Sequence, residues 1–381
     1  MLKLLTIIGA RPQIIKAAAL SRAIGKHYAD AIEEVILHTG QHYDENMSQV
    51  FFDEMSIPAA NHNLNTGSAS HGKQTAAMIE GIEGVIEKEN PDWLVLYGDT
   101  NSTLAGALAA VKLGVPVAHI EAGLRSFNKS MPEEINRITC DHCSTLLFSP
   151  TLAGLENLRR EGFAIDTSPP YDADHPGVFH CGDVMYDNAL YFSDLAEKKS
   201  DILKSLDIES GRFILATIHR NNNTDIANRL RSIFRAIYRL AEESGETILL
   251  PLHPRTMKML RTQLDDELYS RIMASKRLKI VAPASFLEMM LFEKHASMIL
   301  TDSGGVQKES YFYHKPCIIL RSETEWVEIV AQGSAIIADA DEARILAAYR
   351  HFKEQPPHSF PPLYGNGRAA QFVLDKIAGD A

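Results

Sequence analysis

Three carboxylates at the ends of apolar segments are the side chains best suited to acid–base chemistry. Asp99 and Glu121 each follow an apolar run that is typical of a buried strand, and Glu133 begins a helical segment. Each has an ordinary structural interpretation, because an acid at such a junction can cap a helix or complement its dipole. A carboxylate that ends a buried strand nevertheless costs desolvation energy unless it has a partner or a task. Three acids on one edge of the predicted sheet therefore favour proton transfer to and from a substrate.

A turn with two consecutive glycines, Gly304 and Gly305, is a candidate phosphate site. It follows an apolar strand and Ser303, and it opens a helical segment, so that the first helical amides and the helix dipole face an incoming anion. Glu309, one helical turn further on, is placed to accept a hydrogen bond from a sugar hydroxyl. The alternative is an ordinary strand–helix turn without a ligand, because glycine turns are common.

Basic side chains follow several other apolar segments. Arg11 and Lys16 come after the first strand, at the position where open α/β sheets bind ligands. His219, His253 and Arg321 end strands in the second half. Each of these could be structural on its own. Together they suit a ligand with a pyrophosphate in a cleft between domains.

Other cofactor signatures are weak or missing. No G-x-G-x-x-G follows the first strand and no G-K-[ST] is present, which argues against NAD and against ATP hydrolysis. Cys140 and Cys143 have metal-like spacing, but they lie within a predicted helix and have no second pair. We therefore favour packing over a zinc site for them.

Alternating apolar strands and helical patterns predict the elements that position these residues. Such alternation is typical of parallel sheets with right-handed crossovers, so we expect two similar α/β domains. An irregular polar stretch at 167–177 is the predicted inter-domain loop, which gives an N-terminal domain at 1–177 and a C-terminal domain at 178–364. The predicted strands span residues 3–9, 34–38, 93–97, 115–120, 146–148, 178–180, 213–218, 247–252, 278–282, 297–301, 317–320 and 335–338.

Composition excludes several functional classes. The 381 residues carry a formal net charge of −11, so there is no broad basic surface for nucleic acid or an anionic membrane. No apolar run approaches the ~20 residues of a membrane span. The first residues make a poor signal peptide, and four cysteines do not suggest a disulfide scaffold. We expect a cytoplasmic protein.

The motifs, taken in order, resemble the non-hydrolysing UDP-N-acetylglucosamine 2-epimerases. The similarity runs from residue 3 to beyond 330. The segments that carry it are GARPQ (9–13), GQHYDENM (40–47), YGDTNST (97–103), HIEAGLRS (119–126), MPEEINR (131–137), HR (219–220), LHPRT (252–256) and TDSGGVQKE (301–309). The resemblance implies two Rossmann-like domains in the glycosyltransferase-B arrangement, a UDP-sugar in the inter-domain cleft and a homodimer. It also implies that a C-terminal helix in 365–381 packs back on the first domain.

The resemblance further implies an isomerase of surface-polysaccharide precursor synthesis that needs neither a redox cofactor nor a metal. Such enzymes interconvert UDP-GlcNAc and UDP-ManNAc by anti elimination of UDP to 2-acetamidoglucal, followed by re-addition. By resemblance, the catalytic group is Asp99, Glu121, Glu133 and His219. The implied substrate- and UDP-binding residues are Arg11, Lys16, His253, Ala284, Met289, Ser303, Gly304, Gly305, Glu309 and Arg321. Ala284 and Met289 match positions that line the uracil.

Three departures from the family pattern bear on the substrate. Thr324–Glu325–Trp326 replaces the usual T-E-R, so that a substrate-side arginine is absent, and Asn222 stands where an acid is frequent. The segment 41–47 is one residue longer than in members that bind a second UDP-N-acetylglucosamine as activator, so we do not carry that regulation over. The Thr-Glu-Trp segment and the Gly-Ala-Arg-Pro-Gln segment at 9–13 resemble the branch that acts on UDP-2,3-diacetamido-2,3-dideoxy-glucuronate, which is the alternative substrate. A glycosyltransferase of the same fold and a non-catalytic UDP-sugar binder are the further alternatives.

Overall fold

The structure, a computed structural model, describes residues 1–41 and 58–379. The chain divides into two compact units. The first contains Met1–Asn188 together with the C-terminal residues from Pro362, and the second contains Ala189–Pro361. The first unit is therefore discontinuous in sequence, whereas the second is a single stretch.

The first unit is built on a seven-stranded parallel sheet with the order β3-β2-β1-β4-β5-β6-β7. Its strands are β1 (Leu2–Ile8), β2 (Ile32–His38), β3 (His62–Asn63), β4 (Trp93–Tyr97), β5 (Val117–Ile120), β6 (Leu146–Ser149) and β7 (Gly177–His180). Its helices are α1 (Arg11–Ala23), α2 (His71–Glu89), α3 (Asn101–Lys112), α4 (Pro132–Cys143), α5 (Leu152–Arg160) and the first part of α6 (Val184–Lys199). A π-helical turn, Ile24–Tyr28, extends α1.

The second unit is built on a six-stranded parallel sheet with the order β10-β9-β8-β11-β12-β13. Its strands are β8 (Phe213–Thr217), β9 (Thr247–Pro251), β10 (Leu278–Val281), β11 (Met298–Thr301), β12 (Cys317–Ile319) and β13 (Ala335–Ile337). Its helices are α7 (Ile202–Ser205), α8 (Asn221–Thr224), α9 (Ala227–Ser244), α10 (Pro254–Gln263), α11 (Asp266–Ala274), α12 (Phe286–His295), α13 (Gly304–Phe312), α14 (Val327–Ala331) and α15 (Glu342–Glu354). The last helix of the chain, α16 (Ala369–Gly379), lies in the first unit and packs on α1.

Apolar residues explain why these segments form central strands. All five residues of β4 and all five of β8 are buried, as expected for parallel strands that are covered by helices on both faces. The helices contribute one apolar face each; in α9 this face includes Leu230, Ile233 and Ile237, none of which is exposed. Burying each such side chain contributes roughly 1.5–3 kcal/mol to folding.

The strand order reverses at one place in each sheet. In the first sheet β1 lies between β2 and β4, and in the second β8 lies between β9 and β11. Crevices form outside the carboxyl ends of the strands at such switch points, and open α/β sheets bind ligands there. The predicted site residues follow β1, β4 and β5 in one unit and β8 and β11 in the other.

The two-domain α/β prediction is confirmed, and every predicted strand is present with its ends shifted by at most two residues. The position of the boundary differs from the prediction. The strand at 177–180 is the edge strand of the first sheet, paired with β6, so that residues 167–177 lead into the first unit and do not connect the two. The boundary lies within α6, after Asn188. The short edge strand β3 was not predicted, because two residues show no periodicity.

None of the helices in residues 1–41 and 58–379 has the length and apolar character that a membrane span requires.

Candidate active site

The turn after β1 is joined to the end of β4 by a buried glutamine. The side-chain oxygen of Gln13 accepts hydrogen bonds from the amides of Gly9 (2.9 Å) and Ala10 (3.2 Å). Its amide nitrogen donates to the carbonyl of Tyr97 at 3.1 Å and to the hydroxyl of Thr103 at 3.0 Å. Gln13 thus satisfies backbone polar groups at the ends of two adjacent strands, β1 and β4, and holds these two strand ends together. This role was not predicted from the sequence, although a glutamine in the first turn of a helix can bond the backbone amides that precede the helix.

Asp99 is held by helix α4. The Arg137 guanidinium forms an ion pair with the Asp99 carboxylate, and the side-chain amide of Asn136 donates to the Asp99 carbonyl at 2.9 Å. About a third of the Asp99 side chain is exposed. The carboxylate is therefore oriented by a cation and remains accessible to a ligand.

Glu121 lies in a strained turn beside Asp99. Its φ of 80° is a conformation that a residue with a side chain adopts at a cost of about 1–3 kcal/mol. The carbonyl of Phe148 accepts from the amides of both Glu121 and Ala122 at 3.0 Å, which holds the turn. The Glu121 carboxylate forms an ion pair with Lys16 of α1. Strain that is maintained in this way is typical of functional residues.

Gly98 allows these groups to approach one another. Its φ is 62°, and a Cβ at this position would lie 3.1 Å from the Lys16 amine and 3.3 Å from a Glu121 carboxylate oxygen. A side chain there would be strained and would crowd the ion pair. The backbone next to Asp99 and the Glu121 carboxylate are therefore direct neighbours.

Helix α4 begins with two glutamates that have different environments. Glu133 is exposed at the first helical turn, one turn before the residues that contact Asp99. Glu134 is buried and accepts hydrogen bonds from the amides of Ser126 and Phe127, both at 2.9 Å. Burial raises the pKa of Glu134, but these donors and the charge of Arg137 outweigh it and lower the pKa overall. Glu134 is therefore structural, and Glu133 is the accessible acid, as its predicted role requires.

Arg11 is exposed at the start of α1, at the carboxyl end of β1. In the first unit the structure thus collects Arg11, Lys16, Asp99, Glu121 and Glu133 along one edge of the sheet. Their roles toward a ligand remain predictions.

In the second unit, His219 is organised by Asp302, a fully buried aspartate at the end of β11. Asp302 accepts hydrogen bonds from the amides of His219 (3.1 Å) and Arg220 (3.1 Å) and from the side chain of Asn223 (3.1 Å). The His219 Nδ1 atom lies 3.3 Å from the same carboxylate, while half of the His219 side chain is exposed. Asp302 therefore orients the ring through Nδ1, while much of the side chain remains exposed. The role of Asp302 was not predicted from the sequence, although Asp302 follows an apolar strand as Asp99 does.

The glycine turn opens α13 as predicted. Ser303 caps this helix, with its hydroxyl accepting from the amide of Val306 at 3.5 Å, and its own amide donates to the Thr301 hydroxyl at 2.9 Å. A Cβ at Gly305 would lie 3.8 Å from a Glu309 carboxylate oxygen, so Glu309 borders the turn. The start of α13 and the Glu309 carboxylate are therefore neighbours. The predicted binding of a phosphate by the helix start and of a ribose by Glu309 requires this arrangement.

Three charged side chains surround Gly304. A Cβ there would lie 3.6 Å from Glu325, 3.7 Å from Arg321 and 4.0 Å from Arg220. The Arg321 guanidinium donates two hydrogen bonds of 2.9 Å to the Glu325 carboxylate. Burial raises the pKa of Glu325, but Arg321 and Arg220 outweigh it and lower the pKa overall.

Trp326, which stands where the resemblance implies an arginine, supports this turn. It is 8% exposed, and its indole N–H donates to the Gly304 carbonyl at 2.8 Å. The Lys308 amine lies 4.3 Å from its ring centroid. The tryptophan therefore packs against the backbone of the glycine turn and does not present a cation.

The remaining predicted contacts lie at the same end of the second sheet or next to it. His253 is an exposed cap of α10, and its Nδ1 accepts from the Arg255 amide at 3.3 Å. Ala284 and Met289 are partly buried and pack against the hydrophobic cluster that contains Phe213 and Val306.

Of the motif at 40–47, residues 42–47 lie outside the described part of the chain. Cys140 is buried in the core of the first unit.

Comparison with known proteins identifies the family. The model of the UDP-N-acetylglucosamine 2-epimerase family matches residues 26–378. A UDP-N-acetylglucosamine 2-epimerase homolog from Methanococcus maripaludis is 49% identical over 377 residues, which cover 99% of each chain. The UDP-2,3-diacetamido-2,3-dideoxy-D-glucuronate 2-epimerase of Pseudomonas aeruginosa is 42% identical with the same coverage.

A solved structure agrees over the whole chain. The UDP-GlcNAc 2-epimerase of Methanocaldococcus jannaschii, crystallised with UDP-GlcNAc and UDP, matches with a TM-score of 0.81 and 38% identity, covering 99% of this chain and all of the other. The acids on the first sheet and the glycine turn on the second thus occur in a chain that matches such an enzyme from end to end. This chain belongs to the UDP-N-acetylglucosamine 2-epimerase family.

Proposed function

We propose that this protein interconverts UDP-GlcNAc and UDP-ManNAc. The substrate is taken from the relatives, of which the Methanocaldococcus jannaschii enzyme was crystallised with UDP-GlcNAc. The observation that carries the proposal is the pair of acids on the first sheet, in which Asp99 is paired with Arg137 and Glu121 with Lys16. Inversion at a sugar carbon requires a proton to leave one face and another to arrive on the opposite face, which needs positioned acids and bases.

The proposed reaction is an elimination followed by a re-addition. A base removes the proton from C2, the electron pair of that C–H bond forms the C1=C2 double bond, and the C1–O bond to UDP breaks. The products of this step are 2-acetamidoglucal and UDP. UDP then attacks C1 again while C2 accepts a proton on the other face. The steps are redox-neutral, because the electrons remain within the substrate and UDP.

Asp99, Glu121 and Glu133 are the acids proposed to move these protons, directly or through a relay. Lys16 and Arg137 hold two of these carboxylates in place. Such general acid–base groups typically contribute about 10²–10⁴-fold to a rate.

The second unit is proposed to hold the nucleotide and the leaving group. The amides at the start of α13, together with Ser303, Gly304 and Gly305, suit the pyrophosphate, because helix starts stabilise anions. His219, fixed by Asp302, is proposed to assist as charge develops on the departing phosphate. Glu309 is proposed to bind the ribose, Ala284 and Met289 the uracil, and His253 and Arg321 to add polar contacts. Arg11 and Lys16 of the first unit are also proposed to bind the phosphates.

The alternative substrate is UDP-2,3-diacetamido-2,3-dideoxy-glucuronate. The Pseudomonas aeruginosa enzyme of that name is 42% identical over nearly the whole chain, which favours this substrate. Trp326 also stands where the resemblance to the family implies an arginine. The C2 chemistry is the same for both substrates. We further propose, from the family resemblance, a homodimer that acts in the cytoplasm on surface-polysaccharide precursors.

Proton NMR of the purified protein with UDP-GlcNAc in D2O tests the proposal. We expect deuterium to enter C2 while a manno-configured product forms, without any acceptor, since the proton that returns to C2 comes from solvent-exchanged groups. Exchange only with the diacetamido uronate would establish the alternative substrate. Absence of exchange with both compounds, in a protein that binds UDP, would refute an epimerase and favour a transferase or a binding protein.

A further inference from the structure

His119 is a buried histidine between the two acid-bearing turns of the first unit. It lies in β5, and its side chain is fully buried. Its Nε2 atom is 2.8 Å from the carbonyl oxygen of Gly98, and its Nδ1 atom is 2.7 Å from the carboxylate of Asp141 in α4. Both ring nitrogens therefore have a partner, and neither contacts solvent.

These partners determine where the protons lie. A backbone carbonyl can only accept, so Nε2 must carry a proton. Asp141 also accepts from the amide of Gly123 at 3.1 Å and lies 2.7 Å from the Arg125 guanidinium. Both donors favour an ionised carboxylate, which in turn requires a proton on Nδ1. The ring is then an imidazolium with two donors.

The surrounding charges compensate this buried cation. Arg125, which contacts Asp141, also donates to both carboxylate oxygens of Glu161, at 2.8 and 2.6 Å. Two cations, His119 and Arg125, thus alternate with two anions, Asp141 and Glu161. Burial lowers the pKa of His119, but Cys140 and Asp141, which face the ring, outweigh it and raise the pKa well above its ordinary value. Burial raises the pKa of Asp141, but His119 and Arg125 outweigh this effect, so that the pKa of Asp141 is lowered overall.

The same contacts lie next to two of the proposed catalytic acids, Asp99 and Glu121. Gly98 immediately precedes Asp99, and Gly123 follows Glu121 by one intervening residue. Asp141 lies on α4, the helix that also supplies the Arg137 and Asn136 contacts to Asp99. The His119–Asp141 pair therefore connects the end of β4, the turn after β5 and helix α4 through hydrogen bonds that need both charges.

We propose that His119 is a positioning residue for the epimerisation, a protonated imidazolium that, together with Asp141, sets the spacing between Asp99 and Glu121. The inference rests on the proposed function. His119 exchanges no proton with the substrate; it holds the Gly98 carbonyl and, through Asp141, the Gly123 amide. A displacement of about 1 Å at reacting groups costs on the order of 100-fold in rate, so a loss of these bonds is expected to lower kcat.

The charge state is tested on the wild-type protein, which avoids dependence on the folding of a variant. Protein labelled with ¹⁵N in its histidines is examined by proton–nitrogen NMR, and the His119 ring is assigned by its Overhauser contact to the Gly123 amide. We expect both ring nitrogens to carry slowly exchanging protons from about pH 6 to about pH 8, because a buried, paired imidazolium does not titrate near the ordinary pKa of about 6.5. A ring with a single proton in this range would overturn the proposal.

The positioning role is tested by kinetics of His119→Asn and Asp141→Asn. Neither variant can keep both charged hydrogen bonds. We expect kcat to fall about 10–100-fold while KM and the Kd for UDP stay within about threefold, the pattern of a lost transition-state contribution without lost binding. The double variant should fall no further than the single ones, since the two residues act as a unit. His142→Asn is the matched control, because His142 is the neighbouring but exposed histidine on α4.

The outcomes separate this inference from the proposed function. If the wild type epimerises and His119→Asn has the kcat of the His142→Asn control, the positioning role is wrong while the function stands. If kcat, UDP affinity and the midpoint of unfolding all fall together, His119 has a general structural role and the proposal is also wrong. A wild type that epimerises neither UDP-sugar would instead refute the proposed function.

Discussion

Two of the three proposed catalytic acids of the first unit, Asp99 and Glu121, have a cationic partner supplied by a helix. Arg137 of α4 contacts Asp99, and Lys16 of α1 contacts Glu121. Because both cations come from helices that pack on the sheet, the carboxylates are held by elements whose positions the core fixes. Pre-organisation of this kind reduces the rearrangement that a reaction requires.

Replacing either acid by its amide is expected to remove turnover and to preserve nucleotide binding. Asp99→Asn and Glu121→Gln keep the shape of the side chain but cannot take up a proton at C2, so we expect kcat to fall by about 10²–10⁴-fold. The Kd for UDP, measured by calorimetry, should change little, because neither variant alters the side chains proposed to bind the phosphates, and three of those residues, Ser303, Gly304 and Gly305, lie in the second unit. Glu87→Gln, at an exposed position of α2, is the control. Turnover at the wild-type rate in both amide variants would show that the acids are assigned wrongly.

At the scale of elements, α6 and α16 meet through a buried aspartate. The Asp187 carboxylate of α6 accepts hydrogen bonds from the amides of Ala369 (3.1 Å) and Ala370 (2.8 Å), which begin α16. These amides and the helix dipole favour the ionised form. Burial acts in the opposite direction and prevails, so that the pKa of Asp187 rises to about 6.

This raised pKa makes the attachment of α16 sensitive to pH. The folded protein retains the Asp187 proton up to about pH 6, whereas the unfolded chain loses it near pH 3.8. Folding is therefore opposed increasingly as the pH rises through this window, and the penalty is complete above it. In Asp187→Asn this penalty is absent.

The free energy of unfolding of Asp187→Asn minus that of wild type should be about 1–2 kcal/mol larger at about pH 8 than at about pH 5. Urea unfolding at both pH values measures it. Asp194→Asn, on the exposed side of the same helix, should show no such change. A difference between variant and wild type that does not depend on pH would contradict the raised pKa.

At the scale of the whole molecule, the two units differ in continuity. The second is formed by one stretch of chain, Ala189–Pro361, and contains its complete six-stranded sheet. The first needs α16, which brings the fully buried side chains Val373, Leu374 and Ile377 to it from the other end of the chain.

The two units, produced as separate fragments, should differ in the cooperativity of their unfolding. We expect residues 189–361 to unfold cooperatively in urea, followed by circular dichroism, because no strand is lost. The fragment 1–188 loses three buried apolar side chains of roughly 1.5–3 kcal/mol each, which is much of a typical stability, and should unfold without cooperativity. Adding the peptide 362–381 should restore cooperativity. Equal cooperativity of 1–188 with and without the peptide would show that α16 is dispensable.

The amino-acid sequence by itself predicted the strands, the two-domain α/β class and the family. Apolar runs such as 93–97 and 213–217 mark buried parallel strands, because only such strands are apolar on both faces. The same reasoning placed Asp99, Glu121 and Ser303 at strand ends, where parallel sheets bind ligands. These predictions succeeded because each depends on a few neighbouring residues.

The tertiary structure alone decided how those residues are held. Arg137 meets Asp99 across 38 positions, and Asp302 meets the His219 amide across 83. The strand at 177–180 pairs with the first sheet, so that the boundary between the two units lies after Asn188 and not at the predicted residue 177. Periodicity reports which face of a segment is buried, but not which distant segment it packs against. The roles of Gln13, His119 and Asp302 arise from such long-range contacts, because a buried polar group must find its partner wherever the fold brings one.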